Sequence, residues 1–282
     1  MAEDTEECTH QCSSCGVAEC GDRTAAAAPA KLEPNKRSRI KKVIGVVSGK
    51  GGVGKSLVAG LLASELARKG HKVAILDADV TGPSMPRSFG IHATVTADED
   101  GINPVATPSG IEVISVNLMV PEEDVPVAWR GPVITGILRQ FFSEVNWGDV
   151  DYMLIDMPPG TSDVFLTVLQ SLPVDGIVMV SAPQELVQMI VGKAANLTNR
   201  MEVPTLGLVE NMAYFKCDDC GKQHYIFGEP QGAQVAERYG IEAVATLPMD
   251  PALARLVDGG RIEEYAVESA LDPILEQIEK VG

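Results

Sequence analysis

The sequence is short of aromatic residues, short of basic charge, and has no long apolar run. Phe, Trp and Tyr make up 5% of its 282 residues, too few for the stacking platform of a single-stranded nucleic-acid binder. Lys and Arg number 23 against 39 Asp and Glu, a net charge of −16, and a surface of that sign repels phosphate backbones and anionic lipid. Neither nucleic acid nor membrane is therefore an expected partner. No stretch approaches the roughly 18 apolar residues of a membrane span. The chain opens Met1-Ala2-Glu3-Asp4, without the basic and apolar regions of a secretory signal, so the expected compartment is the cytoplasm.

What the chain does contain is unevenly placed. Four of its six cysteines crowd into the first twenty residues (Cys8, Cys12, Cys15 and Cys20), and the other two form Cys217-Asp218-Asp219-Cys220. In a reducing compartment, clustered cysteines are more often metal ligands or redox groups than disulfides. Residues 1–40 hold the first cluster, the run Ala25–Pro29 and a charged, proline-containing stretch from Lys31 to Lys42, with no core periodicity. They read as a metal-binding tail on a flexible linker, ahead of a domain over 41–282.

From Val43 onward, apolar strands alternate with amphipathic helices. Strands are expected at Val43–Ser48, Lys72–Asp77, Ile111–Val116, Tyr152–Asp156, Gly176–Ser181, Thr205–Asn211 and Val244–Leu247. Helices are expected from Lys55 to Lys69, from Pro132 to Val145, from near Gln184, and on either side of the last strand. Near-continuous Val/Ile/Leu strands separated by helices predict an α/β fold, a mostly parallel sheet with helices on both faces. Ligands of such sheets sit at the carboxyl ends of the strands, where Asp77, Asp79, Asp156 and Asn211 all fall.

Gly49-Lys50-Gly51-Gly52-Val53-Gly54-Lys55-Ser56 fits the phosphate-loop pattern G-x-x-x-x-G-K-S/T, with a strand before it and a helix after it. The glycines let backbone N–H groups curl around phosphates, and the helix N-terminus adds partial positive charge. Lys55 is placed to reach the β- and γ-phosphates of ATP, and Ser56 to ligate Mg2+. The same stretch satisfies the dinucleotide fingerprint G-x-G-x-x-G, with Asp77 at a suitable distance. A pyrophosphate site, however, has no use for a lysine and a hydroxyl in that register. With its second lysine, Lys50, the loop resembles that of the deviant Walker A ATPases, the group holding the MinD/ParA proteins and the nitrogenase iron protein. That resemblance implies that Lys50 crosses to the partner's ATP in a homodimer closed by nucleotide, and that the domain is a P-loop NTPase of that group.

Asp156-Met157-Pro158-Pro159-Gly160 follows a strand in the position of a Walker B and switch II segment. A carboxylate there can hold the water shell of Mg2+, and Gly160 lets the backbone move toward a γ-phosphate. The stretch Asp77–Ser84 resembles the switch I of the same group. Side chains alternate on an extended strand, so Asp77 and Asp79 can share a face, one assisting Mg2+ and the other, Asp79, orienting the attacking water. Asp77 also reads as a strand-end cap. Asn211 matches the group's adenine-bonding position, and also reads as a turn residue.

Cys217 and Cys220 lie in a polar loop after Asn211, with Lys216, Lys222 and His224 nearby. Two thiolates leave a four-cysteine site half complete, and a two-fold dimer supplies the missing pair by bringing the same loop from each subunit to the axis. A zinc site shared with His224 and a redox dithiol are the competing readings. The spacing C-x3-C-x2-C-x4-C of Cys8, Cys12, Cys15 and Cys20 can close a site within one chain, for a [4Fe–4S] cluster or for zinc. Reactive thiols in a disordered tail are the plainer reading.

Taken together, the loop, the Asp156–Gly160 switch and the late C-x-x-C resemble the iron–sulfur cluster carrier ATPases of the Mrp/ApbC type. The likeness runs from about residue 38 to the C-terminus and includes Leu76–Pro86, Trp129–Pro132, Asp156–Thr161 and Ser181–Glu185. The cysteine-bearing extension is similar to that of the nucleotide-binding scaffolds of cytosolic cluster assembly, with tighter cysteine spacing. Asp218-Asp219 stands where many relatives have a proline. The resemblance implies an ATP hydrolase whose homodimer binds a labile [4Fe–4S] cluster at its interface, transfers it to apoproteins, and carries a second, firmer centre on the tail. A nitrogenase-like reductase is one alternative, although such enzymes place isolated cysteines on separate loops. A spatial organiser of the MinD/ParA sort is the other, although the acidic segment Leu271–Gly282 suits neither membrane nor DNA.

Overall fold

The computed structural model describes residues 31–79, 82, 84–119, 131–160 and 163–281. The four cysteines of the tail lie outside these residues. Strand β1 (Arg39–Ser48) runs into the glycine loop and helix α1 (Lys55–Arg68), which returns to β2 (Val73–Asp77). A short helix α2 (Met85–Ser88), a small antiparallel pair β3 (Thr96–Asp98) and β4 (Gly101–Asn103), and strands β5 (Val105–Ala106) and β6 (Glu112–Ile114) follow. Then come α3 (Gly131–Glu144), β7 (Asp149–Asp156), α4 (Asp163–Ser171), β8 (Gly176–Ser181), α5 (Glu185–Arg200) and β9 (Thr205–Glu210). A hairpin of β10 (Phe215–Lys216) and β11 (Gln223–His224) leads to α6 (Gly232–Tyr239), β12 (Val244–Thr246), α7 (Pro251–Asp258) and α8 (Asp272–Lys280).

Among the described residues the main sheet has the order β12-β9-β8-β1-β7-β2-β6-β5, parallel throughout except where β5 pairs antiparallel with β6. The last six residues of β1 and all six of β8 are buried, which requires cover on both faces of the sheet. Leu61, Leu62 and Leu66 of α1 and Ile274, Leu275 and Ile278 of α8 supply part of that cover. Gly207 of β9 has no room for a side chain, because a Cβ there would lie 2.4 Å from Ile274 Cδ1. The expected α/β architecture is the observed one.

Boundaries moved where pairing overrode composition. β1 begins at Arg39, inside the stretch read as linker, because Arg39 to Lys42 pair with Asp149 to Tyr152 of β7. Their charged side chains stay at least partly exposed while the backbone joins the ladder. Before β1, Leu32 N–H donates to the carbonyl of Ser171 at 2.8 Å and Lys31 Nζ to that of Leu172 at 3.0 Å, so this part of the segment lies against the domain. The strand expected at Ile111–Val116 is only Glu112–Ile114, since Val116–Leu118 turns into a 3-10 helix. Helices α4 and α8 and the two small hairpins had no counterpart in the sequence reading. Paired stretches of two or three mostly exposed residues leave no periodic signal.

Candidate functional site

The carboxyl ends of β1, β2, β7 and β9 meet around the glycine loop. Gly52 and Gly54 adopt left-handed backbone angles, φ 83° and 82°, which a side chain would strain. Gly54 is doubly constrained, because a Cβ there would lie 2.2 Å from Asn211 Nδ2. It also stands at the N-cap of α1, which no side chain caps, so the first-turn N–H groups are left to an external acceptor. The Ser48 hydroxyl donates to the Lys50 carbonyl at 3.0 Å and holds the loop's first turn. Lys50 itself is exposed, with Gly51 and Gly52, on the outer side of the loop.

Lys55 is buried, its ammonium 2.5 Å from Asp156 Oδ1 and 3.6 Å from Asp79 Oδ2. Ser56 donates through Oγ to the other oxygen of Asp156 at 2.6 Å. One carboxylate thus organises both the lysine and the hydroxyl of the loop. Ser56, Asp79 and Asp156 present hard oxygens, the donor chemistry that suits Mg2+. Burial pushes the Asp77 carboxyl up to about 8, helped by the charge of Asp156 and opposed by Lys55. Burial raises Asp156 as well, against the pull of Lys55.

Strand alternation does not carry Asp79 to its place. β2 ends at Asp77, its ladder reaches only Ala78, whose N–H donates to the Asp156 carbonyl at 2.9 Å, and Asp79 lies beyond. The Asp79 N–H donates to Asp77 Oδ1 at 3.2 Å, a turn that sends Asp79 toward Lys55. Asp77 faces Ser115, whose hydroxyl donates to Oδ2 at 3.0 Å. Ser115 is wholly buried and was not singled out from the sequence, although a serine just after Val113 and Ile114 carries a strand-end signal like that of Asp77. On the switch side, Gly160 (φ 81°) donates its N–H to the Ser48 carbonyl at 2.8 Å, tying the Asp156–Gly160 turn to the end of β1.

Asn211 is 2% exposed and donates through Nδ2 to the Val53 carbonyl at 3.0 Å. It braces the glycine loop from the carboxyl end of β9, a contact that strand-end position alone did not reveal. Beyond it the chain rises into the β10–β11 hairpin, with Cys217 half-buried and Cys220 exposed at its tip. Cys217 N–H donates to the Lys222 carbonyl and Gly221 N–H, at φ 70°, to the Cys217 carbonyl, both at 2.9 Å. The N–H groups of Cys220 and Asp219 and the Cys220 thiol bond to the Cys217 sulfur and hold its thiol below the ordinary range, against Asp218. Backbone N–H groups aimed at a sulfur favour thiolate. His224 pairs with Phe215 across the hairpin, and among the described residues no three His, Cys, Asp or Glu side chains are set to hold a metal ion. A cavity of about 530 Å³ lies below the hairpin, walled by Cys217, Tyr214, Met249, Asp250 and Tyr265.

The C-terminal helix α8 buries Ile274, Leu275 and Ile278, and Glu279 on its outer side pairs with Lys69 at 3.0 Å. Among the described residues, no helix is long and apolar enough to cross a membrane.

Residues 39–281 match the model of the NUBPL iron-transfer P-loop NTPases. An iron–sulfur cluster carrier protein of Clostridium perfringens is 49% identical over 251 residues, which span 86% of this chain and 88% of that protein. A second protein of that name, from Saccharolobus solfataricus, is 45% identical over 80% of this chain and 77% of its own. Among solved structures, the nucleotide-binding protein of Archaeoglobus fulgidus in complex with ADP superposes with a TM-score of 0.73 at 44% identity, covering 80% of this chain and 89% of that one. The cell-division ATPase MinD of Pyrococcus furiosus shares the fold, with a TM-score of 0.61 at 21% identity over 85% and 98% of the two chains.

Proposed function

The chain belongs to the NUBPL iron-transfer P-loop NTPases, and from that premise we propose that it is an iron–sulfur cluster carrier that hydrolyses ATP as a homodimer. The observation that carries the proposal is the exposed hairpin tip, where Cys217 and Cys220 form a two-thiol knuckle on the domain that holds the phosphate loop. Two thiolates hold half of a [4Fe–4S] cluster, and the same hairpin of a second copy holds the rest. Tyr225, Ile226 and Phe227, exposed just after the hairpin, offer apolar surface for such a meeting. The Clostridium and Saccharolobus proteins bear the name of cluster carriers, which supports the cargo assignment and implies apoprotein recipients.

In this account the ATP phosphates take the N–H groups of Gly51 to Ser56, as ADP in the Archaeoglobus relative suggests. Lys55 exchanges Asp156 for the β- and γ-phosphate oxygens, a short reach since it already sits at the strand ends. Ser56, with Asp156 and Asp77 behind it, would hold Mg2+, which would supply charge neutralisation at the phosphates. Asp79 takes a proton from, and orients, the attacking water. Lys50, exposed on the loop, reaches the nucleotide of the partner copy, and Asn211 holds Val53 beside the adenine side of the pocket. Cys8, Cys12, Cys15 and Cys20 would form the second centre, [4Fe–4S] or zinc. The carrier would work in the cytoplasm. The test is cluster transfer: wild type charged with iron and sulfide should activate an apo-aconitase-type acceptor, and Cys217→Ala/Cys220→Ala should not. Normal transfer by that double variant rejects the proposal.

A further inference from the structure

The cysteine hairpin leaves the sheet after Asn211 and returns at Gly232, and both of its ends are clamped at one point. On the outgoing side, Asn211 bonds the Val53 carbonyl through its side chain at 3.0 Å and the Ser181 carbonyl of β8 through its N–H at 2.9 Å. On the return side, the two carboxylate oxygens of Glu210 accept the N–H groups of Gln231 at 3.0 Å and Gly232 at 2.8 Å. Glu210 and Asn211 are 3% and 2% exposed, so neither bond is traded for water at small cost.

Between this clamp and the cysteines stands Met212 at φ 56°. A side chain larger than Asn in the left-handed region is strained, and such strain persists only where the surroundings impose it. Here the imposing contacts are named: Asn211 behind it, and ahead of it the Ala213 N–H on the Leu247 carbonyl at 2.9 Å and the Met249 N–H on the Tyr214 carbonyl at 2.8 Å. Asn211 in turn touches the part of the phosphate loop that any bound phosphate must engage. Its amide packs directly on Gly54, where a Cβ would lie 2.2 Å from Nδ2.

We propose that Asn211 is a positioning residue that transmits the state of the phosphate loop to the cysteine hairpin, with Met212 as the strained hinge. Nucleotide that turns the Val53–Gly54 peptide shifts the carbonyl to which Asn211 donates. The shift alters the restraint on Met212 and so the position of Cys217 and Cys220. This inference deepens the carrier proposal by giving its nucleotide and cluster sites a route of communication, and it holds for the thiols whether or not they carry a cluster.

The test follows the hairpin without a cluster. The full, reduced chain is alkylated with iodoacetamide at fixed pH, free or saturated with Mg2+ and a non-hydrolysable ATP analogue, and Cys217 and Cys220 are scored by peptide mass. Wild type is expected to show a rate ratio between the two conditions of about fivefold or more, the low end of ordinary site-to-site coupling. Asn211→Ala, at saturating nucleotide, is expected to bring that ratio to about one. Met212→Gly, which removes the hinge strain and leaves the brace, is expected to lower it several-fold, and it serves if the Asn211 variant does not fold. A full nucleotide response in either folded variant, or none in wild type, overturns the inference. A nucleotide response in a protein that never binds a cluster at the hairpin upholds it and rejects the carrier proposal instead.

Discussion

Asp77 and Asp156 are register partners at the carboxyl ends of adjacent parallel strands, 1% and 0% exposed, with the Lys55 ammonium 2.5 Å from Asp156. The same ammonium lies 3.6 Å from Asp79, so Lys55 divides its charge between Asp156 and Asp79, while Asp77 is held by the Ser115 hydroxyl and raised by burial.

Asp77 is raised from 3.8 to about 8 chiefly by burial, so the folded chain binds a proton there that the unfolded chain releases. Its contribution to stability is therefore full below pH 3.8 and is lost as pH rises toward about 8. Asp77→Asn removes that slope. Urea titrations at several pH values should show the variant gaining on wild type as pH increases, and parallel curves would contradict the assignment.

Lys55 has a structural duty besides its phosphate contact. Lys55→Ala strips Asp156 of its ion pair in a dry setting, where breaking a buried pair costs about 3–5 kcal/mol. The variant should bind no ATP by calorimetry and should also melt well below wild type. Loss of binding with an unchanged melting temperature would show that Asp156 does not depend on this lysine.

Lys50 should behave differently, since it is exposed and Lys55, not Lys50, pairs with Asp79 and Asp156. Lys50→Ala is expected to keep ATP binding and melting temperature while losing ATP-dependent dimerisation in analytical ultracentrifugation and most of its hydrolysis. Full hydrolysis by a monomeric variant would place the whole catalytic set within one subunit.

At the hairpin, the N–H groups aimed at Cys217 hold its thiol below the ordinary range and so favour the anion. The pH profile of Cys217 alkylation should have its inflection below the roughly 8.5 of a free thiol. Asp219→Pro, which deletes one of the donating N–H groups, should move it upward. An inflection at the free-thiol value in the wild type would mean that the knuckle does not favour the anion.

The chemistry-bearing residues were legible because each sits where an apolar strand stops: Asp77 after Val73–Leu76, Asp156 after Met153–Ile155, Asn211 after Leu206–Glu210. The loop was legible because only glycine tolerates the backbone at Gly52 and Gly54. What the sequence could not convey was direction. Asp79 reaches Lys55 through a turn rather than by strand alternation, and Ser115 reaches Asp77 from a strand that follows a long excursion. The brace from Asn211 to Val53 spans 158 residues, a contact that no local pattern encodes. The left-handed Met212 is equally silent, since methionine carries no preference for that conformation.

The central claim is that one cluster is shared by two copies through Cys217 and Cys220. It is tested most directly by anaerobic reconstitution of a variant whose tail cysteines Cys8, Cys12, Cys15 and Cys20 are replaced by serine. Native mass spectrometry should find dimers carrying one [4Fe–4S] cluster, about two iron atoms per chain, with none after the further change Cys217→Ser/Cys220→Ser. A cluster held by monomers, or one that survives that change, would contradict the account.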